Sequence, residues 1–452
     1  MNTRRLTFSL CVLLAAALGA AALSLALAVT PESEATDQNW PRWRGPDASG
    51  VAPATDPPLE WSEDKNIRWK FDIPGRGNST PVIWEDLIFL TTAVVTGTPA
   101  DDSDSGEGQG RRRRRGVQPA PTQFILLALN RQDGTEAWRK VAYEGLPNEG
   151  HHPDGTWASG SAVTDGEVVI AHFGSQGIYA YDLKGNALWN KDLGDMRTRL
   201  GFGEGASPAL HGKYLVVNWD HEGDSFIVAL DKSSGEEIWR NARDEPTSWS
   251  TPVVLEVDGR HQVVVSATNR VRGYDLETGQ LIWESSGMTA NAIPTPVYGD
   301  GILYATSGFR GNALQAIDLS KAKGQVQGTE ALLWSYDRDT PYVPSPLLYG
   351  DAIYIIKSNS GILSRLDAKT GEVEFGPERL DLQGVYASLV GAAGRIYITG
   401  REGVTLVIEH GEELKVLATN PLDDRIDASP AILGNQIFLR GYDHLYCIES
   451  SE

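Results

Sequence analysis

Residues 206–240 read ASPALHGKYLVVNWDHEGDSFIVALDKSSGEEIWR, and they contain four strands. An apolar run opens on Ser207-Pro208, and a turn at His211-Gly212-Lys213 leads into Tyr214 to Val217. A polar break from Asn218 to Asp224 precedes Phe226 to Leu230, after which Asp231 to Gly235 turns the chain into a last strand carrying Trp239. Each run is short, rich in β-branched or aromatic side chains and bounded by Gly, Asp, Asn or Ser. That is the pattern of consecutive antiparallel strands joined by tight turns.

The unit recurs. Its opening appears as Ser79-Thr80-Pro81, Ser207-Pro208, Ser250-Thr251-Pro252, Pro294-Thr295-Pro296, Ser345-Pro346 and Ser429-Pro430, with degenerate copies at Ser161-Ala162 and Ser388-Leu389. These eight copies follow one another, from Ala162 onward, at steps of 46, 44, 44, 50, 43 and 41 residues, the length of one four-stranded propeller blade. The closing half recurs too. Gly134, Gly185, Gly235, Gly279 and Gly371 are each followed four residues later by an aromatic: Trp138, Trp189, Trp239, Trp283 and Phe375. A glycine there suits a hairpin turn with positive φ, and the ring can fill the gap between blades. The expectation is an all-β, eight-bladed β-propeller over 61–452, one large monomeric domain. Asn66 to Ile73 has the alternation of a closing strand yet precedes the first opening, while the last repeat, Asp427 to Glu449, stops after three strands. The N-terminal strand is therefore expected to complete the last blade.

The 452-residue chain carries 60 acidic and 40 basic residues, a net charge of −20, which argues against a general nucleic-acid binder. Residues 1–28 have Arg4-Arg5, a long apolar run and a small-x-small Ala26-Leu27-Ala28, as in a signal peptide; the run is also long enough to be an uncleaved N-terminal membrane anchor. Export to the periplasm or cell envelope is the expectation. Cys11 lies in this leader and Cys447 in the last strand, so no intramolecular disulfide is expected once the leader is cut. Residues 29–60, polar and Pro-rich with Trp40 and Trp43, read as a linker packing against the propeller. Residues 96–122 interrupt the first blade with an acidic Gly/Ser half, Arg111 to Arg115 and a Pro-rich tail, a composition expected to be disordered.

In an up-and-down blade the A–B and C–D turns share one face of the disc, and the B–C turns and the D–A links between blades share the other. The first set is terse turn chemistry. The second set carries Asn218 to Glu222, Asn269-Arg270, Phe309 to Asn312, Lys357 to Asn359, Arg401-Glu402 and Tyr442 to His444. It also holds Arg76 and Asn78, His151-His152, Arg197, Arg199, Glu204, Asp244, Trp249, Asn291, Asp337 to Asp339, Tyr342 and Asp424-Arg425. Charged and aromatic side chains in links over a rigid scaffold are where binding sites are commonly built. Mutual bracing by surface salt bridges is the plainer alternative. His151-His152 with Asp154, and Asp220-His221-Glu222, lack metal-ligand spacing, and no nucleophile or phosphate-loop motif occurs. No metal site and no reaction follow from the residues.

Ala229-Leu-Asp231…Gly235…Trp239, Gly273-Tyr-Asp275…Gly279…Trp283 and Ala316-Ile-Asp318 resemble the tryptophan-docking repeat of quinoprotein, or pyrroloquinoline quinone (PQQ)-like, propellers. The resemblance covers nearly all of 61–450. That superfamily includes eight-bladed PQQ-dependent alcohol dehydrogenases and non-enzymatic members such as the outer-membrane assembly factor BamB. The vicinal cysteine pair of the dehydrogenases is absent here. The resemblance implies that PQQ and Ca²⁺ are compatible cofactors, with arginines for the carboxylates, Trp219 or Trp249 for stacking and side-chain oxygens for the cation. The expectation is a binding scaffold for an envelope partner protein or an anionic small ligand, on the face that carries Trp219, Asp220, Arg270, Arg310, Asn312, Lys357 and Arg401. The competing expectation is a PQQ- and Ca²⁺-dependent alcohol or sugar dehydrogenase in which Asp220 or Glu222 acts as base.

Overall fold

The structure is a computed structural model that describes residues 39–53, 56–99 and 116–450. Among these residues the chain forms eight antiparallel sheets, arranged in sequence order, with no α-helix and two short 3₁₀ turns, Gly174–Gln176 and Arg199–Gly201. The fold is the expected all-β, eight-bladed propeller. Blade 3 is typical: Ala209–His211, Tyr214–Trp219, Phe226–Asp231 and Glu237–Ala242 pair in order, from the axis outward. The inner and middle strands are buried, and only the outermost alternates between solvent and core. Blade 4 gains a fifth strand, Gly324–Gln325, parallel to Leu281–Ser286.

The ring closes as the repeat count requires. Ala431–Leu433, Gln436–Arg440 and His444–Glu449 make three strands of blade 8, and Ile67–Asp72 is the fourth, antiparallel to His444–Glu449 with Trp69 opposite Cys447. Closure by a strand from the other end of the chain removes the free edges that an open arc would present.

The Ser/Thr-Pro openings have a physical cause. Each hydroxyl-bearing residue stands at the axis, where the inner strand has no ladder partner. The backbone N–H of each donates to the hydroxyl of the next: Thr80 to Ser161 (2.9 Å), Ser161 to Ser207 (2.9 Å), Ser207 to Thr251 (3.1 Å), Thr251 to Thr295 (3.2 Å), Thr295 to Ser345 (2.9 Å), Ser345 to Ser388 (2.9 Å) and Ser388 to Ser429 (2.9 Å). The Thr80 hydroxyl closes the circle on the Ser429 carbonyl (3.0 Å). Proline fits the following position because an edge strand does not need its N–H.

The periphery is fastened by tryptophans, each across a blade boundary rather than within its own repeat. Trp69, Trp138, Trp189, Trp239 and Trp334 donate from Nε1 to the carbonyls of Arg131, Leu183, Lys232, Leu276 and Ala368 in the following blade, at 2.8–3.1 Å. Their rings lie on Gly134, Gly185, Gly235, Gly279 and Gly371, where a Cβ would come within 2.5–2.8 Å of its nearest neighbour. Trp283 departs from the pattern. It is fully buried and donates to the Gln262 side chain (2.9 Å), because blade 5 replaces the expected hairpin with the segment bearing Gly324–Gln325.

Residues 39–53 and 56–61 do more than pack on entry: they cross the disc. Trp40 pairs with Ile83 of blade 1, Thr164 of blade 2 donates to the Pro41 carbonyl, Arg44 reaches the Pro346 carbonyl of blade 6, and Gly50 and Ala52 bond to Gly391 of blade 7. Trp61 then stacks on Tyr397 at 6.3 Å. The crossing closes one end of the axial channel. The leader 1–28 and residues 100–115, including Arg111 to Arg115, lie outside the described residues. The flanks of that insertion are ordered: Thr96 bonds to Pro121, and Val117 pairs with His151.

Candidate functional site

Above the crossing segment, on the face formed by the D–A links, is an axial cavity of about 430 Å³. Its floor is Trp43 and the hydroxyl ring, of which Ser161, Ser207, Thr251, Ser388 and Ser429 face the space. Its walls are the aromatic rings of Phe202, Trp249, Phe309, Tyr342 and Tyr386, joined by His152, Asp154, Glu204 and Asp427. The rings are held in place: Trp249 donates from Nε1 to the Gly203 carbonyl (2.7 Å), and Phe309 stacks on Tyr342 at 4.8 Å.

The charged side chains of the wall are organised around Asp154, which the link between blades 1 and 2 carries across to blades 7 and 8. Its Oδ1 accepts from Arg401 (2.7 Å) and Arg425 (2.9 Å), and its Oδ2 from the Tyr386 hydroxyl (3.1 Å). Asp427 accepts from Arg401 through both oxygens (2.7 and 3.0 Å), from Arg425 (3.1 Å) and from the Tyr442 hydroxyl (2.7 Å). Two arginines thus meet two carboxylates. Arg401 also lies 3.7 Å over the Tyr386 ring, and burial pushes the Tyr386 hydroxyl up to about 12. Glu204 differs. It is turned toward Ser175, accepting from its amide and hydroxyl (both 2.6 Å). Burial, aided by Glu149 and Asp195 and opposed by the Ser175 bonds, pushes its carboxyl up to about 7.

Behind Glu204 a small space of about 30 Å³ adjoins Glu149, His172, Asn218 and Asp220. His172 Nε2 and Asn218 Oδ1 have no partner among the described residues, and the volume suits one bridging water. Burial holds the His172 ring down at about 4, hence neutral.

Of the candidates read from the sequence, Trp219 is buried and stacked on Phe226 at 5.7 Å. Asp220 forms a fully buried two-point pair with Arg243 (2.7 and 3.0 Å), which in turn donates to the Tyr274 hydroxyl (2.6 Å). Glu222 accepts from Thr247 Oγ1 (2.8 Å). Arg270 sits with Arg272 between Asp244 and Glu284 in a peripheral groove, Lys357 pairs with Asp339 (2.7 Å), Arg310 lies over Phe309, and Asn312 accepts from Thr340. The bases Arg270, Arg310, Lys357 and Arg401 share no partner. Of the wider set, Asn78, His152, Glu204, Trp249, Phe309 and Tyr342 line the cavity; Arg401 does not, but it holds two carboxylates that do, Asp154 and Asp427. Trp43, Tyr386 and Asp427 were not singled out. Trp43 was placed in a linker; Tyr386 and Asp427 stand beside Ser388 and Ser429, and nearness to those openings was the signal that could have found them.

The family model described as "Outer membrane protein assembly factor BamB" matches residues 59–202 and 223–452. The chain belongs to that family. Among curated proteins, the outer membrane protein assembly factor BamB of Francisella salina is 24% identical over 203 residues, covering 39% of this chain and 37% of that one. The match therefore spans little more than a third of the relative's length. Among solved structures, BamB from Moraxella catarrhalis aligns with a TM-score of 0.53 at 18% identity, over 80% of this chain and 98% of that one. The quinohemoprotein alcohol dehydrogenase from Comamonas testosteroni aligns with 0.59 at 9% identity, over 92% and 82%. At such identities the likeness is one of fold alone.

A quinone held by calcium asks for clustered carboxylate oxygens and for arginines with open valence. Among the described residues no group of three or more His, Cys, Asp or Glu is placed to hold a metal. Arg401 and Arg425 are paired with Asp154 and Asp427, and Glu204 faces Ser175. These residues do not fit a calcium-held tricarboxylate.

Proposed function

We propose that this chain is an exported binding protein of the cell envelope whose ligand site is the axial cavity. The observation that carries the reading is the construction of the cavity: one end closed by the chain's own crossing segment, aromatic walls, and about 430 Å³ of room, a size typical of small-molecule sites. No side chain in it is arranged as a nucleophile or a free acid/base pair; the wall carboxylates are taken up by arginines or by Ser175. Export is supported by the leader and by the envelope role in the names of its relatives. N-terminal sequencing of the mature protein distinguishes cleavage after Ala28 from a retained anchor. A protein partner over the same face is the second reading, favoured by Leu200 at the rim, 81% exposed and in a left-handed conformation.

The test is titration of the purified mature protein with 2-naphthoate and with 2-naphthalenemethanol, followed by tryptophan fluorescence. Saturable quenching by either, abolished by Gly205→Leu, is expected; a Cβ at Gly205 meets only ordinary contacts at 3.6 Å, so the variant fills the cavity without breaking the fold. A parallel sample receives PQQ and Ca²⁺. Stoichiometric quinone uptake with dye-linked alcohol oxidation would replace the binding reading by the dehydrogenase one. Failure of both naphthalenes, together with an envelope protein captured by the parent chain and lost with Leu200→Ser, would move the site from the cavity to its rim.

A further inference from the structure

A buried charge without an opposite charge lies behind Trp43 of the cavity floor, its guanidinium carbon 5.9 Å from the centre of that ring. Arg44 is carried into the channel by the crossing segment and is 2% exposed. Its Nη2 donates to the carbonyls of Ser49 and Pro346, the latter at 2.8 Å and one residue beyond Ser345 of the hydroxyl ring. Nε and Nη1 have no acceptor, and no acidic side chain pairs with it among the described residues. Burial lowers its pKa to about 9, which still leaves it charged at neutral pH. Burying an unpaired guanidinium is costly, and an anion brought to it offsets that cost.

The hydroxyl ring points the same way. Ser161, Ser207, Thr251, Ser388 and Ser429 use their oxygens to accept N–H groups, and among the described residues none of the five donates its own hydrogen to a protein acceptor. They present a circle of free O–H donors to the axis. The wall has the opposite tendency. Asp154 and Asp427 are balanced by Arg401 and Arg425, and Glu204 adds negative charge when ionised. A singly charged group therefore suits this cavity better than a doubly charged one, and its place is at the floor.

Resting on the reading of the cavity as a small-molecule site, we propose that its ligand is a monocarboxylic acid with a flat aromatic body. The carboxylate accepts from the ring hydroxyls above Arg44, and the rings of Trp43, Trp249 and Tyr386 enclose the body.

The test compares 2-naphthoate, 2-naphthalenemethanol and 2-naphthylmethylamine on the mature protein by calorimetry at pH 7. The acid should bind at least tenfold tighter than the alcohol, and the amine weakest. Arg44→Met should abolish the preference for the acid while Arg44→Lys keeps it. Thr251→Val and Ser388→Ala, each deleting one free hydroxyl donor together with the acceptor of a neighbouring amide, should each reduce it severalfold in protein that still melts cooperatively, and they keep the test decisive if Arg44→Met does not fold. Equal binding of acid and alcohol overturns this proposal and leaves the cavity as a small-molecule site; so does a preference that survives the hydroxyl variants and Arg44→Met. Binding of none of the three overturns both readings.

Discussion

Glu204→Gln isolates the one wall carboxylate that no arginine neutralises. Burial holds its carboxyl near 7 against an ordinary 4.5. Between those two values the folded protein keeps a proton that the unfolded chain has released, so folding stability falls as pH rises from about 4.5 to about 7 and is level on either side. The full displacement corresponds to a ceiling of about 3.4 kcal/mol. The carboxylate borders a cavity that solvent reaches, so about 2 kcal/mol is the expected size. Glutamine keeps the geometry: its oxygen can accept from the Ser175 amide while its nitrogen donates to the Ser175 hydroxyl, which also accepts from the Met196 amide at 2.8 Å. The variant should therefore match the parent at pH 4.5 and melt about 2–4 °C higher at pH 8, the shift being small because the domain is large. Differential scanning fluorimetry across pH 4.5–8.5 measures the difference. A gap between variant and parent that stays constant with pH, or one that favours the parent as pH rises, refutes the account of Glu204.

Asp220→Asn should cost about 3–5 kcal/mol in urea unfolding because it strands Arg243 in the interior; a loss below about 1 kcal/mol would show that the Arg243–Asp220 pair is not what holds that region. Gly279→Ala should cost about 2–4 kcal/mol, combining left-handed strain with a Cβ 2.6 Å from the Trp239 ring. Gly212→Ala, at φ +55° with no atom within 4 Å of the new Cβ, should cost only about 1 kcal/mol; equal losses at the two sites would remove the Trp239 contact as the cause. Deleting residues 61–75 should abolish the cooperative melt of the ring, and a truncated protein melting at the parent temperature would contradict closure by Ile67–Asp72.

The fold was legible because a propeller repeats its local chemistry. Each Ser/Thr-Pro opening and each turn glycine meets an equivalent partner in the neighbouring blade, so a single chain shows the same constraint again and again. The closing strand was legible for the same reason, as an unpaired half at each end. The cavity was less so. Asp154 meets Arg401 and Arg425 over separations of 247 and 271 residues, and Arg44 meets Pro346 over 302; no spacing rule announces such contacts. The loops did supply the right face, and within it Trp249, Glu204, Tyr342 and Arg401. Face membership alone does not distinguish a side chain turned inward from one braced at the periphery, and Arg270 and Lys357 are braced by Asp244 and Asp339. Trp283 shows a local rule overridden, since an insertion in the next blade removed the glycine turn that its register leads one to expect.

Closure by Ile67–Asp72 also fixes an order of events during synthesis. The strand is made before the rest of the ring, but its partner His444–Glu449 follows the other seven blades, so it must wait for the whole ring before it is paired, and pairings this distant in sequence are slow to form. While it waits it is an exposed strand edge, the kind of template on which chains aggregate. Its sequence, Ile67-Arg68-Trp69-Lys70-Phe71-Asp72, sets a charge at every second position. In the finished ring those charges face solvent or form marginal ion pairs; in the unfinished chain they discourage a second copy from pairing with the waiting strand.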